Sequence, residues 1–233
     1  MELLSPYART IPLLGRERDL AELRQWLAGE CSIAIRVLIG RGGSGKTRLA
    51  LELCEAAIAA GWDAGFVTGG ELQRFLGQQN LAVWGWQRPT LVVVDYVAAK
   101  SRALGGWLQE LADHQGGGAQ GPLRLLLLER HADPAGGWWQ EAFGSGGWGA
   151  RAVHALLDPD RPVALGALPT PEDRHGVLVQ TLERAGSVVR PPEPGTDPAF
   201  ERQLAQLSWG GEPLFLMMAG LLAARAGFGR VWA

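Results

Sequence analysis

Lysine is nearly missing from this chain. Of its 22 basic residues only Lys46 and Lys100 are lysines, and the remaining 20 are arginines. With abundant alanine and glycine, that bias points to a GC-rich bacterial coding sequence. Cysteine is as scarce: Cys31 and Cys54 are too few for a disulfide framework or a zinc site. They read as buried thiols in a reducing compartment. The net charge is −2 and no run of Lys/Arg stands out, which argues against a nucleic-acid or anionic-membrane surface. Long apolar runs are also lacking. The longest, Leu214 to Ala224, is too short to cross a bilayer and ends at Arg225. No charged-then-apolar leader follows Met1. These absences lead to the expectation of a cytoplasmic protein, and 233 residues suffice for one core with or without a small appendage.

What the chain does have is glycine, with 33 residues. Gly40, Gly42, Gly43 and Gly45 fall within Gly40-Arg41-Gly42-Gly43-Ser44-Gly45-Lys46-Thr47, a G-x-x-x-x-G-K-T pattern. The apolar run Ile33 to Ile39 precedes it, and a helical pattern from Thr47 to Ala60 follows. Strand, glycine loop and helix form the context that a phosphate-binding loop needs. The glycines let backbone N–H groups turn inward around an anion, and the helix N-terminus adds its positive end. Lys46 reaches the outer phosphates in this reading, and the Thr47 hydroxyl ligates Mg²⁺. The chain is expected to bind a nucleotide.

Alternating patterns continue along the chain. Residues 16–28 have apolar positions at helical spacing, with acids in the first turn. Ala64 to Thr68 reads as a short strand, and 70–89 as one helical turn and a loop. Leu91 to Asp95 is a β-branched run of the kind buried on both faces of a parallel sheet. A helix over 100–114, a Gly-rich loop at 116–121 and a strand over 123–128 follow. Residues 134–149 read as an irregular Gly- and Trp-rich insertion, in which Trp138, Trp139 and Trp148 either form a partner patch or fold onto the core. Arg161 to Leu168 reads as a last strand. Thr170-Pro171-Glu172-Asp173 is a helix start with cap, N1 proline and an early acid, and two more helices follow near 198–207 and 212–226. The expected fold is α/β, a P-loop NTPase three-layer sandwich with a central parallel sheet. Residues 1–168 would form the nucleotide-binding core and 169–233 a small helical lid.

A P-loop needs a carboxylate for the Mg²⁺ shell at the end of a neighbouring buried strand, and Asp95 fits. Many ATP hydrolases place a second acid next, to polarise the attacking water. Here Tyr96 follows, and Val97, Ala98 and Ala99 supply no carboxylate. Hydrolysis is therefore expected to be slow, unless its base comes from elsewhere. Glu129 is either that base or a strand-end acid paired with an arginine. Arg130 points at the γ-phosphate if strand 123–128 lies between the P-loop strand and the Asp95 strand, where a guanidinium can tell triphosphate from diphosphate. Neither lysine sits in an Asn/Thr-Lys-x-Asp guanine motif, so the base is expected to be adenine. His114, His131, His154 and His175 have no ligand spacing.

The motif order resembles the STAND class of signal-transduction ATPases, relatives of NB-ARC and AAA+ modules. Leu13-Leu14-Gly15-Arg16-Glu17 is similar to that class's N-terminal apolar-Gly-Arg-Glu motif, Gly40 to Thr47 to Walker A, and Leu91 to Asp95 to Walker B. Leu125 to Arg130 resembles its sensor-arginine strand, and Gly210-Gly211-Glu212-Pro213-Leu214 its Gly-x-Pro-Leu motif. The resemblance implies that Leu14, Gly15 and Arg16 lie over the adenine and that Pro213 packs near it. It implies ATP (or ADP) with Mg²⁺, and catalytic roles for Lys46, Asp95 and Arg130. Thr47 and Asp95 would be the metal ligands. Nucleotide contacts would come from Leu14, Gly15, Arg16, Gly40, Gly42, Gly43, Ser44, Gly45, Lys46, Thr47, Arg48 and Pro213. Two departures stand out: Tyr96 after Asp95, and a chain that stops soon after the Gly-x-Pro-Leu helix, where the class continues into further domains. A fragment, a truncated product and a minimal module all fit the second.

The leading expectation is an ATP/Mg²⁺-binding switch module and weak ATPase, with protein partners or self-assembly supplied by other domains and neither membrane nor nucleic acid as partner. The alternatives are a non-hydrolysing, nucleotide-stabilised interaction module and a small-molecule kinase. The kinase ranks last because the 134–149 insertion carries no arginine.

Overall fold

The structure is a computed structural model and describes residues 2–78, 86, 88–113, 121–144, 147–205 and 211–231. The chain forms two compact units. One comprises Glu22–Gly40 and Ala50–Ala164, and the other Met1–Ala21, Arg41–Leu49 and Leu165–Ala233.

The first unit holds the sheet. Its strands are β1 (Ile33–Ile39), β2 (Asp63–Phe66), β3 (Thr90–Asp95), β4 (Leu123–Glu129) and β5 (Val163–Ala164). They lie in the order β2-β3-β4-β1-β5, and every pair is parallel. Every residue of β4 is buried, as its unbroken apolar run requires for a central strand covered on both faces. β4 pairs with β1 from Ile33↔Leu123 to Ile39↔Glu129, and with β3 from Thr90↔Leu123 to Asp95↔Leu128. The C-terminal ends of the three central strands thus finish level, and the chemistry-bearing residues Asp95, Glu129 and Arg130 come out at that edge. This is the α/β fold of P-loop NTPases, a five-stranded parallel sheet flanked by helices.

Three local expectations fail in this unit. The pattern of 70–89 suggests one helical turn, but α3 runs ten residues, Gly69–Gln78. A capping box starts it: Thr68 N–H donates to Glu71 Oε2 at 2.8 Å, and Glu71 N–H donates to Thr68 Oγ1 at 3.3 Å. That reciprocal bond offsets the cost of Gly69 and Gly70. Residues 134–149 are not irregular either. They contain α5 (Gly137–Phe143) and the start of α6 (Gly147–His154). Trp139 and Phe143 are fully buried with ring centroids 4.5 Å apart, so aromatic burial overrides the poor helix propensity of glycine. Trp138 is buried with them, whereas Trp148 is exposed. Both α5 and α6 pack on α4 (Ser101–Asp113). Lastly, β5 has two residues rather than the eight of 161–168. It pairs only with Leu38 and Ile39, and β1 ends there, so the ladder has no further partner strand.

Cys31 is exposed and only Cys54 is buried, which corrects the expectation for Cys31. Its position in the turn before β1 keeps it out of the apolar face. His114, the loop 116–120, Trp209, Gly210 and Trp232 lie outside the described residues.

The second unit is built on α7 (Pro171–Arg184), α8 (Pro198–Ala205) and α9 (Pro213–Ala226). Thr170 caps α7, its Oγ1 accepting from Asp173 N–H at 3.1 Å. Leu168, Val177, Leu178, Phe200, Leu204 and Leu216 form the core, with Leu14 packed against it. Gly220 lets α7 and α9 approach closely, since a Cβ there would stand 2.9 Å from Thr181 Cγ2. Arg174 is buried in this unit with no carboxylate partner among the described residues. Its Nε and Nη2 donate to the Leu168 carbonyl and its Nη1 to that of Leu204, all within 3.0 Å.

Two helices complete the chain order: α1 (Glu17–Leu27), before β1, and α2 (Lys46–Ala59), after the glycine loop. Among the described residues no helix is long and apolar enough to cross a membrane.

Candidate functional site

The glycine loop follows β1 directly and opens α2, as the sequence pattern requires. Only two of its four glycines need glycine for their backbone: Gly43 has φ +86° and Gly45 φ +95°. The loop closes a turn in which Ser44 N–H donates to the Arg41 carbonyl at 3.2 Å. The same carbonyl accepts from Lys46 Nζ at 3.2 Å, so the ammonium lies folded along the loop. Thr47 lies in the first turn of α2.

Arg16 stands in the same unit, and its guanidinium holds the loop's backbone. Nη2 donates to the Ser44 carbonyl at 3.0 Å and to the Gly166 carbonyl at 2.5 Å, while Nη1 pairs with Asp19 at 3.1 Å. Arg16 is buried. Gly15, at φ +65°, allows this entry turn to press on α7: a Cβ there would meet the Asp173 carboxylate at 2.7 Å. Leu14 Cδ1 would lie 3.3 Å from a Cβ on Gly176. Arg48 Nη2 donates to the Ile11 carbonyl at 3.2 Å. The N-terminal segment therefore grips the loop through carbonyls, a role that the motif spelling alone does not reveal.

The start of α9 also seats on the loop. Leu214 N–H donates to the Gly43 carbonyl at 3.2 Å. A Cβ on Gly45 would lie 3.8 Å from Pro213 Cγ, and one on Gly43 would lie 2.9 Å from Leu214 Cβ. Leu14, Arg16, Gly43 to Lys46 and Pro213, expected from sequence to act together, are thus gathered in this unit. Sequence reasoning missed Arg41 and Glu212, whose side chains pair at 3.7 Å (Arg41 Nε to Glu212 Oε1). The available signal was a base at the first free position of one motif and an acid at the free position of the other.

In the sheet unit, β4 does lie between β1 and β3, which meets the condition set for Arg130. Its side chain is exposed at the end of β4. Glu129 is buried, with Oε2 accepting from Ala98 N–H at 2.9 Å and Oε1 from Arg130 N–H at 2.7 Å. Its partners are backbone amides rather than an arginine side chain. Asp95 Oδ1 accepts from Tyr96 N–H at 2.9 Å. Tyr96 adopts a left-handed backbone (φ 54°, ψ 57°) with its ring exposed, an unfavourable conformation for a non-glycine residue. Lys100, the second lysine, donates from Nζ to the Asp95 carbonyl. Burial holds its ammonium below the ordinary lysine value, against the opposing pull of Asp95 and Glu129. The loops after β1 and β3 thus each have one lysine bonded to backbone.

Among the described residues no group of three or more His, Cys, Asp or Glu side chains could hold a metal ion. A hydroxyl (Thr47) and a carboxylate (Asp95) are hard oxygen donors that suit Mg²⁺, which normally keeps several waters and takes its other ligands from substrate phosphates.

No protein-family profile matches this chain. No curated protein matches it by sequence. Its fold is similar to solved structures. One is the replication initiator DnaA bound to AMPPCP and single-stranded DNA (14% identity, TM-score 0.56, covering 98% of this chain and 67% of that one). Others are the Aeropyrum pernix Orc1 protein in complex with DNA (17%, 0.53, 96% and 64%) and a point variant of Thermotoga maritima RuvB (15%, 0.52, 89% and 61%). At these identities the likeness shows a shared fold, the P-loop α/β architecture described above. The present chain spans between 61% and 67% of their lengths.

Proposed function

We propose that this chain is an ATP/Mg²⁺-binding switch module of the STAND type that hydrolyses ATP slowly. The observation that carries the reading is the G-x-x-x-x-G-K-T loop between β1 and α2 of a P-loop sheet in which β4 separates β1 from β3. The AMPPCP bound to the DnaA neighbour supports a nucleotide ligand. In this reading the amides of Gly42 to Thr47 and the Lys46 side chain bind the phosphates, while the Gly40 N–H, expected from sequence to join them, donates instead to the Glu129 carbonyl at 3.2 Å. Thr47 and Asp95 hold Mg²⁺, which neutralises phosphate charge, and Arg130 contacts the terminal phosphate. Arg16 and Arg48 fix the loop's frame, and Leu14, Gly15 and Pro213 line the nucleoside. Residues 1–168 act as the core and 169–233 as a lid whose seating follows nucleotide state. Protein partners or self-assembly carry the output. The DnaA and Orc1 neighbours hold DNA, but a net charge of −2 without a basic run supports no nucleic-acid role here.

The test is nucleotide-dependent thermal stabilisation. Mg·ATP raises the Tm of the unmodified chain, and Lys46→Ala removes that rise. An unchanged rise in the variant overturns the placement of the phosphates.

Tyr96 favours a second reading, a nucleotide-stabilised interaction module that does not turn over. No carboxylate occupies 96–99, and both oxygens of Glu129 are engaged by backbone amides. Radiolabelled ATP separates the two: Mg²⁺-dependent turnover that is lost in Asp95→Asn excludes the inert version.

A further inference from the structure

Glu212 is a poorly satisfied buried acid. It is 3% exposed, its Oε2 has no hydrogen-bond partner among the described residues, and its Oε1 is 3.7 Å from the Nε of Arg41, a side chain that is itself 68% exposed. A buried carboxylate in this condition is costly and calls for a reason. Helix capping is not that reason, because Glu212 is the N-cap of α9 and makes no side-chain cap bond. The backbone around it is pinned. The Gly211 carbonyl accepts from Leu168 N–H at 2.6 Å, and Leu214 N–H donates to the Gly43 carbonyl of the glycine loop. A Cβ on Gly211 would strike Ala167 Cβ at 2.5 Å. The carboxylate is therefore a fixed charge, and the long, exposed Arg41 side chain is its movable partner. Arg41 belongs to the loop itself, one residue after Gly40, and its carbonyl already receives Lys46 Nζ.

We propose that Arg41 and Glu212 form a charge pair that sets how strongly the loop discriminates a nucleoside triphosphate from a diphosphate. The inference rests on the nucleotide-binding reading above and adds the residues that meter phosphate charge. A guanidinium forms its strongest bonds with phosphoryl or carboxylate oxygens, and one Arg41 cannot serve both fully. A third phosphate draws Arg41 away from Glu212. The cost of leaving that fixed carboxylate without its partner then counts against the triphosphate. A diphosphate, carrying less charge, leaves the pair in place. Exchange of Arg41 also loosens one of the attachments between the loop and the start of α9, within the same unit, which couples phosphate number to α9 seating.

The experiment is equilibrium titration of the full chain with ADP and with AMPPCP, each with Mg²⁺. Glu212→Gln removes the competing charge and should tighten AMPPCP about tenfold while moving ADP less than about threefold. Arg41→Gln should weaken AMPPCP about tenfold, with a smaller loss for ADP. A ratio of the two affinities that neither substitution changes overturns the proposal, as does an equal shift of both nucleotides, which marks a purely structural role. If Glu212→Gln fails to fold, Arg41→Gln on its exposed side chain decides alone. If Lys46→Ala abolishes binding while the ratio holds in both variants, only this proposal falls. If the unmodified chain binds neither nucleotide, the underlying reading falls with it.

Discussion

The two units treat buried charge differently. In the sheet unit, Arg124 has no exposed surface, and its guanidinium is fully engaged by backbone. It donates to the carbonyls of Trp26, Cys31, Leu123 and Gly29 at 2.6 to 3.2 Å. Glu129 is satisfied by two backbone amides. In the unit that holds the glycine loop, Arg174 is satisfied in the same way, but among the described residues Arg16 Nε, Ser44 Oγ and Glu212 Oε2 are buried without a partner, whereas the sheet unit's buried atoms of that kind are neutral indole N–H groups such as those of Trp26 and Trp139. Buried polar atoms normally find partners. Where charged ones do not, beside the glycine loop proposed to bind phosphates, the arrangement suits ligand binding more than stability. Buried charge in the sheet unit serves the fold.

That contrast yields a graded set of outcomes in thermal or urea unfolding. Arg124→Leu should cost most, about 4 kcal/mol, because several buried carbonyls lose a charged donor at once. Burial already pushes this guanidinium below its ordinary value, and the carbonyls, with the Trp62 ring 6.0 Å from Cζ, offset that cost. Arg16→Gln should cost about 2 kcal/mol but should weaken nucleotide binding more than any purely structural change of equal size, since the Ser44 carbonyl loses its clamp. Thr170→Ala, which deletes an ordinary cap, should cost about 1 kcal/mol and leave nucleotide affinity unchanged. Glu212→Gln should alter stability by less than about 1 kcal/mol, or raise it, because the carboxylate it replaces is largely unpaired. If Glu212→Gln instead costs as much as Arg124→Leu, the contrast between the units fails.

A separate effect concerns pH. Burial pushes the Cys54 thiol up to about 11. An unfolded thiol titrates near about 8.5, so folding favours the protonated form. The resulting stabilisation is complete below about pH 8.5 and is lost as pH rises towards 11. Urea midpoints measured across that alkaline window should fall, and Cys54→Ala should flatten the curve. Alkylation at neutral pH should modify Cys31, which is exposed, and spare Cys54.

Much of this was legible in the residues. Continuous apolar runs announced β1, β3 and β4, and G-x-x-x-x-G-K-T announced the loop, because both signals are local and chemically restrictive. Thr170-Pro171 announced α7 for the same reason. What escaped depended on partners distant in sequence. The helix α5 exists because Trp139 and Phe143 are buried, although glycines surround them. Strand β5 stops where β1 runs out. The capping box Thr68–Glu71 was local and could have been read, but Gly69 and Gly70 argued against it. In the candidate site, the residue types of Arg16 and Pro213 were recognised. Arg16's work on the carbonyls of Ser44 and Gly166 was not visible, since a guanidinium bonded to backbone leaves no partner residue to detect. The Arg41–Glu212 pair joins positions far apart in the chain, each at the unconstrained place of its motif.

The central claim is that the loop from Gly40 to Thr47 receives the phosphates of ATP. Amide hydrogen exchange over residues 40–48, with and without saturating Mg·ATP, tests it most directly. The account predicts marked slowing at Gly42 to Thr47, lost in Lys46→Ala. Unchanged exchange across that loop at saturating nucleotide would contradict it.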